Sequence, residues 1–455
     1  MTGTPPREHT PERSPVDADF ARPGPNLVRS VRREAAMYVS RLRVDGVRGF
    51  HGQRRVDLDL ARPDGSHAGW TVLAGRNGSG KTTLLRALAM AFLNEKHGSL
   101  TGGPEAWSAS SRSDPLIAVD MVAEGFHTTC RIGAGQSTGE PALSWSYEVH
   151  TPITPSSVPH DFCAGYGPHR RLTGGTVEVP ASAVSALRVA TLFQEGAALG
   201  ESVAWLIQQH LRRLEGRSGA QELIDAVFAL LGDGLLPDDY RVVRVDSEGL
   251  WVRRGGREFP LREMSDGYRT VTAVVVDLLR HLQLCYGELP LDTSGDVPAV
   301  PLPGVVLIDE VDAHLHVSWQ KRIGGWLTAH FPRIQFIVTT HSPYICQSAD
   351  PGGLIRLAGP DEQEPPHTVD QDLYRRVVYG SGDDAVLSDL FGLDSPYSDR
   401  AEELRRRVGD LEGLVLSGEA TPEQVEEYRQ LSEILTSSAT ARVDEVSARL
   451  ARRCG

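Results

Sequence analysis

The sequence lacks the features of secreted and metal-stapled proteins. Its five cysteines are odd in number, widely spaced and form no C-x-x-C pair, so neither a disulfide framework nor a zinc site is indicated. Residues 1–36 are rich in proline and charge and contain no apolar run typical of a signal peptide, so we interpret them as a disordered N-terminal tail. These absences favour a reducing, cytoplasmic location.

The sequence also has no excess of positive charge and no long apolar run. The formal net charge is -13, so contact with nucleic acid would need a local basic patch. The most apolar stretch, residues 271–279, contains Asp277 and is well short of the roughly 20 residues that span a bilayer. We therefore expect no membrane partner. A hydrophobic fraction of 40% over 455 residues is ample for a buried core in two or three compact units.

The first part of the folded chain, residues 37–180, begins with patterns of β-strands. Alternating apolar and polar residues over 38–60 predict two antiparallel strands. Residues 71–74 predict a buried strand that leads through a glycine-rich turn into a helix over 82–94. Short alternating segments between 102 and 150 predict an antiparallel β lobe.

The middle of the chain changes to helical periodicity, which predicts an inserted helical lid over residues 181–260. Two apolar stripes carry this prediction, formed by Val203, Ile207, His210 and Leu214 and by Leu223, Ile224, Val227 and Leu231. Apolar runs at 305–308 and 335–340 then predict parallel strands buried on both faces, within a second part of the head over 261–385. Residues 287–304 lack periodicity and predict an exposed loop.

The last segment, residues 386–455, is predicted to be helical and to serve for dimerisation or partner docking. Its apolar stripes are Leu404, Val408, Leu411 and Val415, then Val425, Tyr428, Leu431 and Leu435, then Val443, Val446 and Leu450. Residues 421–424 have the pattern of a helix start with a capping box.

A glycine-rich run between the buried strand and its helix matches the phosphate-binding pattern G-x-x-x-x-G-K-[ST]. Its residues, with the threonine that follows, are Gly75, Arg76, Asn77, Gly78, Ser79, Gly80, Lys81, Thr82 and Thr83. Such a loop turns backbone N–H groups toward phosphates at a helix N-terminus, which makes it the Walker A loop. Lys81 is expected to reach the β- and γ-phosphates, and the Thr82 hydroxyl to ligate Mg²⁺.

Two carboxylates, Asp309 and Glu310, end the buried strand 305–308 at the edge where α/β sheets bind ligands. Asp309 is expected to hold the Mg²⁺ shell. Glu310 is the candidate general base that orients and deprotonates the attacking water. The alternative is a strand-end salt bridge.

Two further positions are weaker candidates by themselves. Ser265 precedes a long apolar helix as an N-cap residue, and Gly267 permits close backbone approach, although an ordinary helix cap would look the same. His341 follows the strand 335–340 and is expected on the γ-phosphate side, although a lone histidine is usually structural.

The order of these motifs resembles ABC/SMC-type P-loop ATPases, with heads like those of SMC, RecF and Rad50 proteins. The likeness is greatest to stand-alone bacterial ATPases of antiphage defence such as the Septu-system ATPase, on residues 265–269, 308–316 with 319–320, 340–343 and 389–392. The resemblance implies an α/β head that binds ATP and Mg²⁺ and closes as a homodimer. It implies that Ser265 and Gly267 contact the γ-phosphate bound by the opposite subunit, and that His341 is the switch histidine.

Two segments depart from the family pattern. The Q-loop slot, residues 165–171, has no glutamine, which leaves His169 or Arg170 as substitutes. The D-loop slot ends in His316 where the family usually has aspartate, and its H-x-H spacing also permits a metal site, which we consider the weaker interpretation. Arginine pairs at 170–171, 212–213 and 253–254, with Arg257, are candidate phosphate contacts or simply a solvated face.

These features support three hypotheses for function. The first is a nucleotide-driven dimeric switch that acts as the sensor of an antiphage system and controls a protein effector such as a nuclease, since no nuclease motif is evident in the sequence. The second is a RecF-like ATPase that clamps duplex DNA during repair. The third is an ATP-gated scaffold with slow turnover, and the unusual D-loop favours this last one.

Overall fold

The computed structural model describes residues 37–94, 97–109, 114–123, 126–137, 140–150, 162–170, 184–197 and 199–435. The predicted disordered tail at residues 1–36 and the last apolar stripe, at Val443, Val446 and Leu450, lie outside these ranges. Within them, no helix combines the length and the apolar character that crossing a bilayer requires.

The described residues form an α/β structure with fourteen strands in three sheets. The strands are β1 (Tyr38–Asp45), β2 (Val56–Asp59), β3 (Trp70–Gly75), β4 (Leu116–Ala123), β5 (Phe126–Ser137), β6 (Glu140–Val149), β7 (Cys163–Tyr166), β8 (Arg241–Asp246), β9 (Gly249–Arg254), β10 (Arg257–Pro260), β11 (Gly304–Ile308), β12 (Ile334–Thr340), β13 (Leu354–Leu357) and β14 (His367–Thr368). The helices are α1 (Lys81–Met90), α2 (Gly98–Thr101), α3 (Val184–Leu187), α4 (Ala190–Phe193), α5 (Gly200–Leu214), α6 (Ala220–Gly232), α7 (Asp266–Tyr286), α8 (Val317–Gln320), α9 (Ile323–His330), α10 (Pro343–Cys346), α11 (Gln371–Tyr379), α12 (Gly382–Val386), α13 (Asp399–Ser417) and α14 (Pro422–Ile434).

The central sheet has the order β14-β13-β3-β12-β11-β7, and only β14 is antiparallel to its neighbour. Its strands β3, β11 and β12 are buried along their whole length, as their continuous apolar sequences predict. Alternate residues face two separate cores: Phe336 and Val338 pack on one side of β12, and Ile337 on the other. The predicted parallel pair of strands is confirmed, and their carboxyl ends meet at one edge of the sheet.

The antiparallel β lobe is a five-stranded sheet in the order β2-β1-β4-β5-β6. All four pairings in it are antiparallel, including the predicted pair formed by β1 and β2. This sheet shares a core with helix α1, where Leu84, Leu85 and Leu88 pack against residues such as Leu42 and Val119. The lobe therefore covers one face of the central sheet and supports the helix that follows the Walker A loop.

The insertion over 181–260 is only partly helical, which corrects the prediction. Helices α5 and α6 are present, but residues 241–260 form the three-stranded antiparallel sheet β10-β9-β8. In β9 the buried residues Leu250 and Val252 have the two-residue period of a half-buried strand. In β8 the buried residues Val242 and Val245 are three apart, because the register shifts between Val242 and Arg244. Turns through Gly249 and through Gly255 and Gly256, which have positive φ, join the strands.

The predicted buried stripe of α5 is wrong by one position, whereas that of α6 is confirmed. Helix α5 buries Ser202, Trp205, Leu206 and Gln209, while Leu214 is 67% exposed. Two of these buried residues are polar, so a search for apolar spacing alone selects the neighbouring stripe; the Ser202 hydroxyl is satisfied by the carbonyl of Leu199 at 2.5 Å.

The C-terminal segment forms a helical hairpin of α13 and α14. The Arg407 guanidinium of α13 bonds to the Glu427 carboxylate of α14 at 2.7 and 2.8 Å, and Leu411 is fully buried. The predicted capping box at 421–424 is confirmed, since the Thr421 and Gln424 side chains each accept the other's backbone N–H. Residues 287–304 contain no helix and only an isolated bridge between Asp292 and Ala299 before β11 begins, in agreement with the predicted loop.

Candidate nucleotide site

The Walker A loop lies between β3 and α1, as its sequence predicts. Gly78 and Gly80 have φ of 77° and 99°, which is the left-handed region that glycine adopts without strain. A Cβ on Gly80 would lie 2.4 Å from the Phe50 ring, so no larger residue fits there. The first helical residue is Lys81, which leaves the N-terminal amides of α1 directed at the loop.

The Lys81 ammonium is folded back onto its own loop. It donates hydrogen bonds to the carbonyl oxygens of Gly75 at 2.8 Å and Arg76 at 3.0 Å. Burial lowers the Lys81 pKa to about 8, against the opposing attraction of Asp309 and Glu310. Phosphate oxygens would replace these carbonyls and raise the pKa of Lys81 again, because they favour its charged form.

The two predicted Mg²⁺ ligands lie in contact with each other. The Thr82 hydroxyl donates to Asp309 Oδ2 at 2.8 Å, although 227 residues separate the two positions. A hydroxyl and a carboxylate are the oxygen ligands that Mg²⁺ takes, together with waters and substrate phosphates. The described residues contain no cluster of three or more His, Cys, Asp or Glu that would hold a metal without a nucleotide, and this includes the H-x-H segment.

Thr339 connects both acidic residues. Its hydroxyl donates to Asp309 Oδ1 at 2.5 Å and accepts from the Glu310 backbone N–H at 2.7 Å. Glu310 has a φ of 46°, a left-handed conformation that costs a non-glycine residue about 1–3 kcal/mol. The surrounding hydrogen bonds therefore hold the candidate base in an unfavourable backbone conformation.

These residues border a cleft of about 390 Å³. Predicted residues that line it are Asn77, Gly78, Ser79, Gly80, Lys81, Thr82, Thr83, Asp309, Glu310 and His341. The Ser79 hydroxyl is buried and has no hydrogen-bond partner in the described part of the chain. Partial desolvation in the cleft and the nearby Lys81 charge lower the pKa of His341, so its imidazole is neutral at pH 7.

Four predicted residues do not line the cleft: Gly75, Arg76, Ser265 and Gly267. Gly75 and Arg76 contribute the carbonyls that hold Lys81. Ser265 is exposed at the N-terminus of α7, and its hydroxyl makes no capping hydrogen bond. A Cβ on Gly267 would lie 2.2 Å from the His314 carbonyl oxygen, so this glycine permits close approach of the D-loop backbone.

The connection between β1 and β2 supplies four lining residues that the sequence analysis missed: Arg48, Gly49, Phe50 and Arg54. Arg54 is buried and donates to the carbonyls of Ala358 at 3.1 Å and Pro360 at 3.2 Å. Arg48 is exposed, and its guanidinium lies over the Trp107 ring. Two arginines in a short glycine-containing connection were the available signal for a phosphate-facing loop.

The departures from the family pattern have local explanations. His316 is the N-cap of α8, where its Nδ1 accepts the backbone N–H of Ser318 at 3.3 Å, and an aspartate at this position would form the same kind of cap. Arg170 is buried and donates to the backbone carbonyls of Asp309 and Glu310, so it is not a surface arginine. We call this turn after β11, residues 309–311, the Walker B turn. His169 is exposed, and Arg171 lies outside the described residues.

Three arginines of the remaining group have partners within the fold. Arg253 bonds to Glu258 at 2.6 Å, and Arg254 donates to the Tyr240 hydroxyl at 2.9 Å. Arg213 lies 3.1 Å from His210 Nδ1. The Glu258 carboxylate offsets the charge of Arg253, whereas Arg212 and Arg257 are exposed.

Comparisons with known proteins find AAA-domain family models and ATPases of antiphage systems. A family model described as "AAA domain, putative AbiEii toxin, Type IV TA system" matches residues 204–347, and a model described as "AAA domain" matches residues 41–151. The chain is 24% identical over 315 residues to the Septu protein PtuA of Bacillus mycoides (strain KBAB4), across 69% of this chain and 40% of the relative. It is 38% identical over 165 residues to the "Retron Ec83 probable ATPase" of Escherichia coli, across 36% of this chain and 27% of the relative.

Among solved structures, the chain is similar to an SMC head bound to the C-terminal winged-helix domain of ScpA. The TM-score is 0.43 at 16% identity, over 70% of this chain and 94% of that structure. The chain spans less than half the length of the two curated relatives named above. The resemblance to P-loop ATPases of antiphage defence such as the Septu-system ATPase, predicted from the sequence, is confirmed, and the similarity to a retron ATPase adds to it.

Proposed function

We propose that this chain, an SMC-like P-loop ATPase, binds Mg²⁺ and ATP at the Walker A loop and hydrolyses the nucleotide between two copies of itself. The observation that carries the proposal is the network that joins Thr82, Asp309, Thr339 and Glu310 at the edge of the cleft. Hydrolysis of this kind needs a phosphate loop, a pair of Mg²⁺-type oxygen ligands and a general base at a single site, and the network supports this assignment of roles.

The chemistry follows from these positions. Lys81 and the α1 amides bind the β- and γ-phosphates and balance the charge that develops on them. Mg²⁺, held by Thr82 and Asp309, would neutralise the same phosphates. The Glu310 carboxylate accepts a proton from water as the water oxygen bonds to the γ-phosphorus. The bond to the β–γ bridging oxygen then breaks, and ADP leaves with its electrons.

The second copy supplies Ser265 and Gly267 in this proposal. Ser265 is exposed and lies outside the cleft of its own subunit, as expected for a residue that serves a nucleotide bound elsewhere. Binding of ATP would then favour the closed dimer, and hydrolysis would release it. A difference in affinity of several kcal/mol between the two states is sufficient for such a switch.

We further propose that the switch regulates a protein effector such as a nuclease in an antiphage system. The support is the similarity to a Septu protein and to a retron ATPase, together with a two-helix C-terminal hairpin that offers a surface for docking. The arginine clusters give no specific support for a DNA clamp, because Arg253 and Arg254 already have partners.

The test compares ATP hydrolysis and mass by light scattering for the wild type, Glu310→Gln and Lys81→Ala. We expect Glu310→Gln to lose turnover by about 10²–10³-fold while it accumulates an ATP-dependent dimer, because binding survives when the base is removed. Lys81→Ala should fail in both assays. The matched controls, Glu248→Gln and Lys321→Ala, change exposed residues outside the cleft and should behave as wild type.

These assays test the assignment of the general base and the dimeric switch separately. Normal turnover by Glu310→Gln would contradict the assignment of the base. A Glu310→Gln protein that binds ATP and stays monomeric would contradict the dimeric switch. The trapped dimer, when formed, also serves as bait for the effector.

A further inference from the structure

The backbone conformation of Glu310 decides where its carboxylate points. With φ at 46°, Glu310 turns the chain sharply at the end of β11. Two peptide planes flank its Cα, the 309–310 plane and the 310–311 plane. Fixing both planes fixes φ and ψ of Glu310, and therefore the direction in which its side chain leaves the backbone.

Arg170 bonds to both planes. Its Nη1 donates to the Asp309 carbonyl at 2.7 Å, and its Nη2 donates to the Glu310 carbonyl at 2.8 Å. Thr339 holds the same two planes from the adjacent strand, since its hydroxyl accepts from Glu310 N at 2.7 Å and its carbonyl accepts from Val311 N at 3.0 Å. The planar fork of a guanidinium is suited to two neighbouring acceptors, whereas a lysine ammonium is a point donor.

The surroundings of Arg170 indicate a fixed structural charge. The residue is 4% exposed, and it does not line the cleft. Burial lowers its pKa to about 10, against the attraction of Asp309, Asp312 and Glu310, so the guanidinium stays protonated at neutral pH. The Arg170 carbonyl also accepts a hydrogen bond of 3.4 Å from Thr270 on α7. This helix begins at residues 265–267, which we call the signature segment.

We propose that Arg170 is a positioning residue for hydrolysis, which holds the Walker B turn so that Glu310 faces the attacking water. This inference depends on the proposed function, because it assigns Glu310 as the base. This role differs from direct contact with the nucleotide, because Arg170 does not line the cleft. Arg170, which lies in the Q-loop slot, acts through the backbone of Glu310 and connects that backbone to α7.

The first experiment measures turnover and ATP affinity for Arg170→Ala, Arg170→Lys and two controls. Arg375→Ala changes an exposed arginine of α11, and Arg188→Ala removes another buried guanidinium, which lies over the Phe162 ring. A shift of about 1 Å in a catalytic group costs about a hundredfold in rate. We therefore expect kcat of Arg170→Ala to fall about a hundredfold with ATP affinity unchanged, and Arg170→Lys to be intermediate.

Added guanidinium ion, at concentrations below those that unfold the wild type, should restore part of the turnover of Arg170→Ala. It should not restore Glu310→Gln, because that variant lacks the carboxylate itself. An Arg170→Ala enzyme with wild-type kcat would overturn the proposal. So would an equal loss of ATP affinity and kcat without rescue, which would indicate a merely structural arginine.

A second measurement does not depend on turnover. Amide hydrogen exchange of the peptide that contains residues 308–311 should accelerate in Arg170→Ala and Arg170→Lys but not in Arg188→Ala. Unchanged exchange there would overturn the proposal even if ATP were never hydrolysed. The wild type could instead bind ATP without cleaving it, while exchange is faster in the variants. That result would contradict the proposed function but support the contacts by which Arg170 holds the Walker B turn.

Discussion

The nucleotide cleft and the signature segment differ in how completely one chain builds them. In the cleft, Lys81, Thr82 and Asp309 already have partners from the same chain, with distances between 2.5 and 3.0 Å. In the signature segment, Ser265 is exposed, and its hydroxyl does not cap α7. The first region is preorganised by its own fold, whereas the second presents an unused donor. We infer that the signature segment acquires its function only when a second copy supplies a nucleotide.

The two regions are nevertheless linked within a chain. Gly267 lies against the His314 carbonyl, where a Cβ would approach to 2.2 Å, and His314 has a φ of 67°. Thr270 of the same helix bonds to the Arg170 carbonyl at 3.4 Å. Movement of α7 on dimer closure would therefore reach the D-loop and the Walker B turn through direct contacts.

The largest effect expected from this comparison is that of Ser265→Arg. A bulky cation at the signature position should block closure on the facing nucleotide, so turnover should fall by about 10²–10³-fold while one chain still binds ATP. Ser294→Arg, which alters an exposed serine in the loop before β11, is the matched control and should remain active.

Mixing Ser265→Arg with Lys81→Ala sharpens the same comparison. A heterodimer would contain one intact composite site, built from the Walker A loop of the first variant and the signature of the second. We expect the mixture to hydrolyse ATP although neither variant does so alone. An inactive mixture, or an active Ser265→Arg monomer, would show that the signature does not act across an interface.

A smaller effect is expected inside the cleft for Thr339→Val. This change removes the hydroxyl that joins the Asp309 carboxylate to the Glu310 N–H, and an unsatisfied buried donor costs about 1–3 kcal/mol. We expect a lower melting temperature and turnover reduced about tenfold, corresponding to about 1.4 kcal/mol. Thr339→Ser keeps the hydroxyl and should stay near wild type. Equal behaviour of the two variants would show that the hydroxyl is dispensable.

The parts of the site that could be predicted from the sequence are those formed by contiguous residues. The Walker A loop and the strand that ends at Asp309 combine a local pattern with a local conformation, so glycine spacing and apolar runs were sufficient. The contacts of Arg170 and Thr339 with the Walker B turn join segments 139 and 29 residues apart, and no local pattern encodes such a distance.

The fold, like the site, could be predicted only where a local sequence pattern was sufficient. Continuous apolar runs identified β11 and β12, but residues 241–260 were assigned to a helical insertion although Leu250 and Val252 of β9 have the spacing of a strand. The face of α5 was misplaced because Gln209 is buried there, and tertiary contacts decide when a polar side chain is buried.

The smallest effect we predict is a dependence of ATP affinity on pH. The Lys81 pKa is lowered to about 8 in the free protein, and bound phosphates should raise it because they favour the charged form. Above pH 8, ATP binding should therefore take up a proton, and affinity should fall about fivefold between pH 8 and pH 9. The nucleotide and His341 do not titrate in this range, because a terminal phosphate ionises near pH 6 and the pKa of His341 is lowered. Calorimetry at pH 7 and pH 9, in buffers with different ionisation enthalpies, measures the uptake. ATP binding to His341→Gln should take up the same proton at pH 9. A wild type with no proton uptake at pH 9 would contradict the prediction, because it would show that the Lys81 ammonium is as well solvated in the free cleft as in water.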